Sequence, residues 1–432
     1  MIKMDFSRKI LKLPPAELQI IRKISRIAHS LKERVYLVGG FARDLITGAS
    51  NFDIDCVTEG DGVKLAEALE SQEKTGSLIV NRKFRTAKLV IKGLTVDIAS
   101  ARRETYNAPG CLPKVSVSSI KEDALRRDFT INALYISINK EDFGKLSGSG
   151  AFLKDLKNGV IRVFHKKSFI DDATRIYRAL RFAARLGFTI EPKTKKYLRE
   201  ALRRGYHKKI SAFRIKREFF LMLEEPDAAE VAKLIFKMRI AKFIIPQISP
   251  TAVEDLKKAQ SIWFDFFIYF FGRAEVSFFY FLVLLRNAAS KEKKRIADFF
   301  ALPDLRKKEI MFPLKNLNAI IKSVGENNPE WPFMLDKFSA EMILYLLFIA
   351  ETERHALSRG QNGKIFKHRI LDYIIRLRFK KVFHSGNELL RMGFPAQTIG
   401  GIHRSVLKGR RSGEINSKLQ EYDFLVRKLK KM

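Results

Sequence analysis

The sequence predicts an α+β chain: a small head built on a mixed sheet, then a long all-helical remainder. Two observations carry that expectation. Up to about residue 148, short β-branched and aromatic runs alternate with helical ones, whereas beyond Gly150 the apolar periodicity is helical and only GVIRVF reads as β. The 432 residues are 46% hydrophobic, enough for two to four compact units and too apolar for disorder.

Taken in order, Pro14-Pro15 opens a helix through AELQIIRKISRIAHSLKE, since proline suits a first turn. VYLVGG is a strand entering a tight glycine turn, FARDLITG a short helix ending at Gly48, and NFDIDCVTE a second, alternating strand. DGVKLAEALESQ is a helix, and SLIVNRKFRTAKLVIKGLTVDIAS supplies two or three strands with a turn at Lys92-Gly93. ARRETYNAPGCLPKVSVSSIKEDAL, with Pro109-Gly110 and Pro113, reads as a loop. In the remainder, breaks near Glu225-Pro226, Pro246, Pro303, Pro313 and Pro329 mark helix ends. The most apolar stretch, Ile262 to Leu285, is interrupted by Asp265 and split by Gly272-Arg273-Ala274-Glu275. It reads as two buried core helices, because a membrane span needs roughly 20 apolar residues in a row.

Charge narrows the function class. With 82 Lys and Arg against 47 Asp and Glu, the net charge is +35, spread along the whole chain. Such a surface fits a polyanion, RNA or DNA, and less often an anionic membrane. A surface tuned only for heat would carry matching Glu, and the acids fall far short. Cys56 and Cys111 cannot make a disulfide framework or a zinc knuckle, and the opening MIKMDFSRKILKLPPAELQ lacks the apolar core of an export signal, so a reduced, cytoplasmic setting is expected.

Two features carry chemistry. Asp53-Ile54-Asp55 puts both carboxylates on one side of a strand, since residues i and i+2 share a face. Their repulsion calls for a cation, and a hard divalent ion such as Mg²⁺ accepts oxygen ligands while keeping positions open for phosphates. By itself such a pair is as often an exposed strand edge. A third acid, Asp97, sits among apolar neighbours on another expected strand, where burial is costly unless the group is used. Gly39-Gly40, just before the helix of Phe41-Ala42-Arg43-Asp44, brings bare backbone beside a helix N-terminus, an anion cradle. A phosphate cradle beside a metal site is the least equipment for handling a nucleoside triphosphate.

LVGGFARDLITGASNFDIDCV resembles the signature of the DNA polymerase β-type nucleotidyltransferases, and more narrowly the class II branch of CCA-adding enzymes and bacterial poly(A) polymerases. Two further blocks match that branch: RRDFTINA, from Arg126 to Ala133, and DDATRIYRALRF, from Asp171 to Phe182. The resemblance is specific over residues 35–190 and weaker beyond. It implies a polymerase β-like head over residues 1–148, a helical neck that selects the base over 149–222, a helical body over 223–330 and a tRNA-binding tail over 331–432, with the helical parts elongated.

It further implies that Asp53 and Asp55 bind two Mg²⁺ ions, with Asp97 helping to activate the attacking hydroxyl. In RRDFTINA, Arg126 and Arg127 suit a triphosphate, because guanidinium forks pair with phosphate oxygens. Asp128 and Asn132, four apart and on one face if that segment is helical, suit the ribose hydroxyls. Asp172 and Arg175, three apart on an expected helix, are implied as the template for the base edge, with Arg178 one turn on. Carboxylate accepts and guanidinium donates, which matches the edges of cytosine and adenine and not of guanine or uracil. The plainer alternative is a surface salt bridge. The 101–125 segment resembles the family's flexible loop, which helps the switch from C to A addition, and KKISAFRIKREFFLML its ERIxxE helix with Phe213 in place of Glu. GNELLRMGFPAQTIGGIHRSVLKGRRSGEIN resembles the tail that grips tRNA, where Gly400, Gly401, Lys408, Arg410 and Arg411 suit phosphates or else form a plain basic hairpin.

The implied activity is untemplated addition of CCA, or only its terminal A, to tRNA from CTP and ATP, with release of pyrophosphate. Alternatives are a bacterial poly(A) polymerase, a CC-adding enzyme and a non-catalytic RNA-binding protein. Phe84-Arg85-Thr86-Ala87 is closer to the tRNA enzymes than to the polymerases, and all three carboxylates are present. No histidine precedes an aspartate, which speaks against the HD phosphohydrolase activity of some relatives.

Overall fold

The computed structural model describes residues 4–49, 53–148, 150–244, 251–270, 272–312, 319–320, 323–324, 330–352 and 361–431. Asn51, Phe52 and the prolines at 246, 313 and 329 lie outside them. The chain forms two compact units, Met1–Pro226 with Leu234–Ile244, and Asp227–Lys233 with Ile245–Met432. The segments expected as head and neck thus fold together.

Along the first unit run α1 (Ser7–Leu11), α2 (Pro15–Ser30), β1 (Val35–Leu37), α3 (Gly39–Thr47), β2 (Asp53–Thr58), α4 (Gly62–Glu73), β3 (Ile79–Asn81), β4 (Thr86–Ile91) and β5 (Leu94–Ser100). There follow β6 (Arg102–Thr105), β7 (Lys114–Val117), α5 (Ile120–Arg126), β8 (Tyr135–Ser137), β9 (Leu146–Ser147) and α6 (Gly150–Lys157). The unit continues through β10 (Val160–Ile161), α7 (Ser168–Asp171), α8 (Thr174–Leu186), β11 (Thr189–Ile190), α9 (Pro192–Arg203) and α10 (Ala212–Leu223).

A mixed sheet has the order β3-β4-β5-β2-β1-β8-β9, in which β2 and β5 are parallel and the other pairs antiparallel. Period-2 alternation gives it two different faces. Ile54, Cys56, Val96 and Ile98 point to one side, where they pack with Ile20, Ile21, Ile24 and Ile27 of α2 and Leu65, Ala66 and Leu69 of α4. Asp53, Asp55 and Asp97 point to the other, whose far end is closed by Tyr36, Val57, Ala101, Ala124 and Tyr135.

The 101–125 segment is not a loop. Arg102–Thr105 and Lys114–Val117 pair as an antiparallel ribbon, and α5 follows. Val115 and Val117 alternate with polar neighbours, a strand signal that the prolines of the tip hid. At that tip Gly110 has φ +80°, and a Cβ there would fall 2.5 Å from the Lys209 carbonyl oxygen. Only glycine permits so close an approach.

In the second unit, helix Val276–Leu284 is buried on every side and lies between Ala252–Phe270 and Ala340–Thr352. The apolar stretch therefore yields one fully buried helix, not two: on Ala252–Phe270, Phe264, Phe267 and Ile268 face outwards. No helix among the described residues is long and apolar enough to cross a membrane. A separate core of Leu389, Phe394, Ile402, Val406, Ile415 and Leu425 ends the chain. Beside it Glu421 is fully buried and accepts from the backbone N–H groups of Phe383 and His384, each at 2.8 Å. Glu421→Ala would strand both donors and the nearby Arg410, so urea unfolding of the second unit should lose about 3 kcal/mol.

Candidate active site

The carboxylates meet because of strand register. Parallel pairing sets Asp55 opposite Asp97 and Asp53 opposite Thr95. Val38 N–H donates to the Asp55 carbonyl (3.0 Å), which brings the end of β1 and the start of α3 beside them. Gly39, at φ +62°, makes that closeness possible: a Cβ would sit 3.1 Å from Asp55 Oδ2 and 3.7 Å from Arg127 Nη1. Helix α3 begins at Gly39 itself, so both glycines lie within its first turn rather than ahead of it.

These groups line one cavity of about 560 Å³. One wall carries Asp53, Asp55 and Asp97. The others carry Gly39, Gly40, Arg43, Arg127, Asp128, Asn132 and Arg178. Burial, then the charge of Asp97, pushes the Asp55 carboxyl up to about 6, against the pull of Arg127 and the Phe41 N–H. Lys88 Nζ lies 3.3 Å from Asp97 Oδ2. The acidic wall offers only oxygen ligands and sets Asp55 against Asp97, a repulsion that Arg127 and Lys88 only partly offset, which fits a hard divalent cation. Among the described residues no three His, Cys, Asp or Glu groups already converge on one point. Asp53 and Asp55, two apart on one face of β2, are the residues that would hold such an ion.

Asp128 and Asn132 do meet, though not on an α-helix: Thr130–Asn132 is a 3₁₀ turn, and the Asn132 amide donates to Asp128 Oδ1 at 3.0 Å. Arg178 Nε donates to Asp128 Oδ2 at 2.8 Å. Burial alone would raise the Asp128 pKa, but Arg178 and Asn132 outweigh it and hold the carboxyl down to about 2. Arg43 donates from Nε and Nη2 to the two Asp44 oxygens and from Nη1 to Asn132 Oδ1 (2.8, 3.0 and 3.1 Å).

Other expected positions depart. Arg126 does not line the cavity; its guanidinium is committed to Glu104 (3.1 Å) and Asp123 (2.6 Å), whose carboxylates are largely buried beside it. Asp172 is not on the helix, since α8 starts at Thr174. Its Oδ1 accepts from Thr174 N and Oγ1, and its Oδ2 from Arg214 Nη2 at 2.8 Å. Arg175 is buried, donating to Ser168 Oγ and the Arg126 carbonyl, each at 2.6 Å. Asp172 and Arg175 are therefore no surface salt bridge, and neither lines the cavity.

In the second unit Arg410 and Arg411 turn inwards. Arg410 stacks 3.7 Å over Phe383, and Arg411 grips both Asp336 oxygens at 2.8 and 2.9 Å with its side chain 6% exposed. Gly400 and Gly401 lie exposed in the first turn of helix Ile399–Ser412. Lys408 is 44% exposed, 3.2 Å from Glu330.

Sequence reasoning missed Asp44, Arg181, Phe182 and Arg185, which also line the cavity. The signal was available: Arg178, Arg181 and Arg185 recur at helical spacing in YRALRFAARL and form one stripe of α8. Arg181 Nε is buried without a hydrogen-bond partner.

The chain matches the Poly A polymerase head domain over residues 35–162 and the family described as "Probable RNA and SrmB- binding site of polymerase A" over 187–251. An A-adding tRNA nucleotidyltransferase of Geobacter sulfurreducens is 31% identical over 96% of this chain and 47% of its own length. A solved CCA-adding enzyme, apo form II, is 30% identical with a TM-score of 0.73 over 99% of this chain and 100% of the other. The Thermotoga maritima CCA-adding enzyme complexed with tRNA_CCA is 29% identical with a TM-score of 0.67, covering 99% and 100%. The chain belongs to the class II family of CCA-adding tRNA nucleotidyltransferases and poly(A) polymerases. It spans about half the length of the curated relatives it matches.

Because the folded-state pKa of Asp55, about 6, exceeds its ordinary 3.8, the fold binds that proton more tightly than the unfolded chain does, and stability falls as pH rises from roughly 4 to 6. In chelator-treated protein, Asp55→Asn should therefore raise the Tm at pH 7.5 and leave it unchanged at pH 4, as read by circular dichroism.

Proposed function

We propose that this chain extends the 3′ end of tRNA by CCA, or by its terminal A alone, from CTP and ATP without a nucleic-acid template. The observation that carries this is the register placing Asp55 beside Asp97 on the wall of a cavity that also holds the glycine turn and a row of arginines. The 3′-hydroxyl oxygen bonds to the α-phosphorus in line while the bond to the departing pyrophosphate breaks, and the hydroxyl proton passes to solvent. Asp53 and Asp55 would hold Mg²⁺, which supplies charge neutralisation at the triphosphate and acidifies the hydroxyl. Gly39, Gly40 and Arg127 cradle the phosphates, Asp128 and Asn132 face the ribose, and Asp97 draws the hydroxyl toward the metal-binding pair. The A-adding relative favours the narrower form, addition of the terminal A. Two unpaired thiols, Cys56 and Cys111, fit a cytoplasmic site of action.

The test uses tRNA ending at the discriminator base, at C and at CC, each with CTP or ATP alone. Extension of all three in turn supports CCA addition, and extension of the CC-ended form alone supports A addition. No extension of any would sink the proposal. Asp53→Ala should abolish incorporation while changing tRNA affinity only a few-fold, since lysine and arginine contacts to phosphate dominate binding.

Base choice falls to Asp172 and Arg175. A carboxylate has about four lone-pair sites and a guanidinium five donors, so both keep capacity beyond their present bonds to Thr174, Arg214, Ser168 and Arg126. Asp172→Ala should relax discrimination against UTP and GTP by about tenfold in kcat/KM on CC-ended tRNA, because the wrong edge no longer faces an acceptor it cannot match. Wild-type selectivity in that variant would remove Asp172 from base reading.

A further inference from the structure

Asp123 is the most enclosed acid near the cavity, yet it does not line it. Its two oxygens are divided. Oδ1 accepts from the Arg102 backbone N–H (3.1 Å) and from Arg126 (2.6 and 2.7 Å). Oδ2 accepts from Arg127 Nε and Nη2 (3.1 and 3.0 Å) and from the Tyr135 hydroxyl (2.7 Å). Arg127 Nε is shared with the Tyr135 hydroxyl at 2.8 Å, and Nη1 spends one further donor on the Asn132 carbonyl at 3.2 Å. Of its five donors, that leaves about two, one on each terminal nitrogen, beside Gly39 and the cavity. A guanidinium with three of its N–H groups fixed to protein is held in plane and direction before any ligand arrives, which is the condition for a strong bidentate phosphate contact.

We propose that Asp123 is a positioning residue that aims Arg127 at the triphosphate, with Arg126 and Glu104 bracing it against the β6–β7 ribbon. The inference rests on the nucleotidyltransferase reading of the cavity and deepens it. Arg126 neutralises Asp123 from the side away from the cavity, and Glu104, which also accepts from Arg102 (2.9 Å) and from the Tyr106 hydroxyl (2.8 Å), fixes Arg126 in turn. Arg102 N–H ties the start of the ribbon to the same carboxylate. Of the two arginines in RRDFTINA, one touches the nucleotide and the other holds the group that orients it.

The experiment measures ATP binding by calorimetry and steady-state kinetics with ATP and tRNA varied separately, in Asp123→Asn, Asp123→Glu and Tyr135→Phe. Asp123→Asn keeps the size of the side chain and removes the charge. It should weaken ATP binding and raise the ATP KM by about tenfold, with the tRNA KM within about threefold of wild type. Tyr135→Phe, which removes one neutral bond each to Asp123 and Arg127 and leaves the ion pair whole, should weaken ATP binding less than Asp123→Asn, by about threefold. Asp123→Glu restores charge off position and should fall between the two. If Asp123→Asn does not fold, as read by circular dichroism, the Glu variant decides: a weaker ATP contact with an unmoved tRNA KM upholds the proposal. Unchanged ATP binding in a folded variant, or equal loss toward ATP and tRNA, would overturn it in favour of a purely structural acid. ATP binding that responds as expected, in a protein that extends no tRNA, would remove the tRNA reading and leave this inference standing.

Discussion

The site depends on like charges held together by a parallel strand pair. Asp55 and Asp97 are neighbours because β2 and β5 run side by side in register, and no side chain chose that closeness. The apolar alternation of Ile54, Cys56, Val96 and Ile98 on the opposite face fixes it, since a slip of one residue would turn all four into solvent and bury the acids. A hydrophobic core thus holds an electrostatic repulsion in place. The arginines that answer it come from outside the sheet, from α3, from the turn after α5 and from the stripe along α8.

Most arginines near that repulsion are engaged with protein. Arg43 sits on Asp44, Arg126 on Asp123 and Glu104, Arg175 on Ser168 and a carbonyl. A positive balance of 35 therefore does not translate residue by residue into phosphate contacts. In the second unit Arg410 and Arg411 lie in the most basic stretch of the expected tail, yet they pack on aromatic rings and pair with acids. Guanidinium is weakly hydrated enough to be buried in that way, whereas the ammonium of Lys408 stays out.

How much of this was legible follows from the range of each signal. The carboxylates, the glycine turn and Asp128 with Asn132 were readable because each depends on neighbours within a few residues and on a pattern with a chemical meaning. The ribbon of 102–117 was not, because Pro109-Gly110 and Pro113 mark a turn without revealing that Arg102–Thr105 and Lys114–Val117 pair across it. The fates of Arg126 and Arg175 were illegible for a different reason. A guanidinium reads as available until its acceptors are known, and here those are Glu104, 22 residues away, and a backbone carbonyl 49 residues away. Asp172 misled in the opposite sense: spacing placed it on a helix, while it lies two residues ahead of one and accepts from the Thr174 N–H that opens it.

Gly110 gives that ribbon an unusual kind of sensitivity. Its α-carbon rests against the Lys209 carbonyl where a methyl group could not fit, and Glu104 of the same ribbon holds Arg126, whose carbonyl holds Arg175. The stance of the buried Arg175 is thereby tied to a spacer of zero length at the ribbon's tip. Lengthening that spacer by one carbon would alter no charge and no donor, yet it would press the ribbon away from Lys209 and disturb the contacts that follow from it. Order in such an arrangement is partly a matter of mechanical tolerance, set where the chain has no side chain at all.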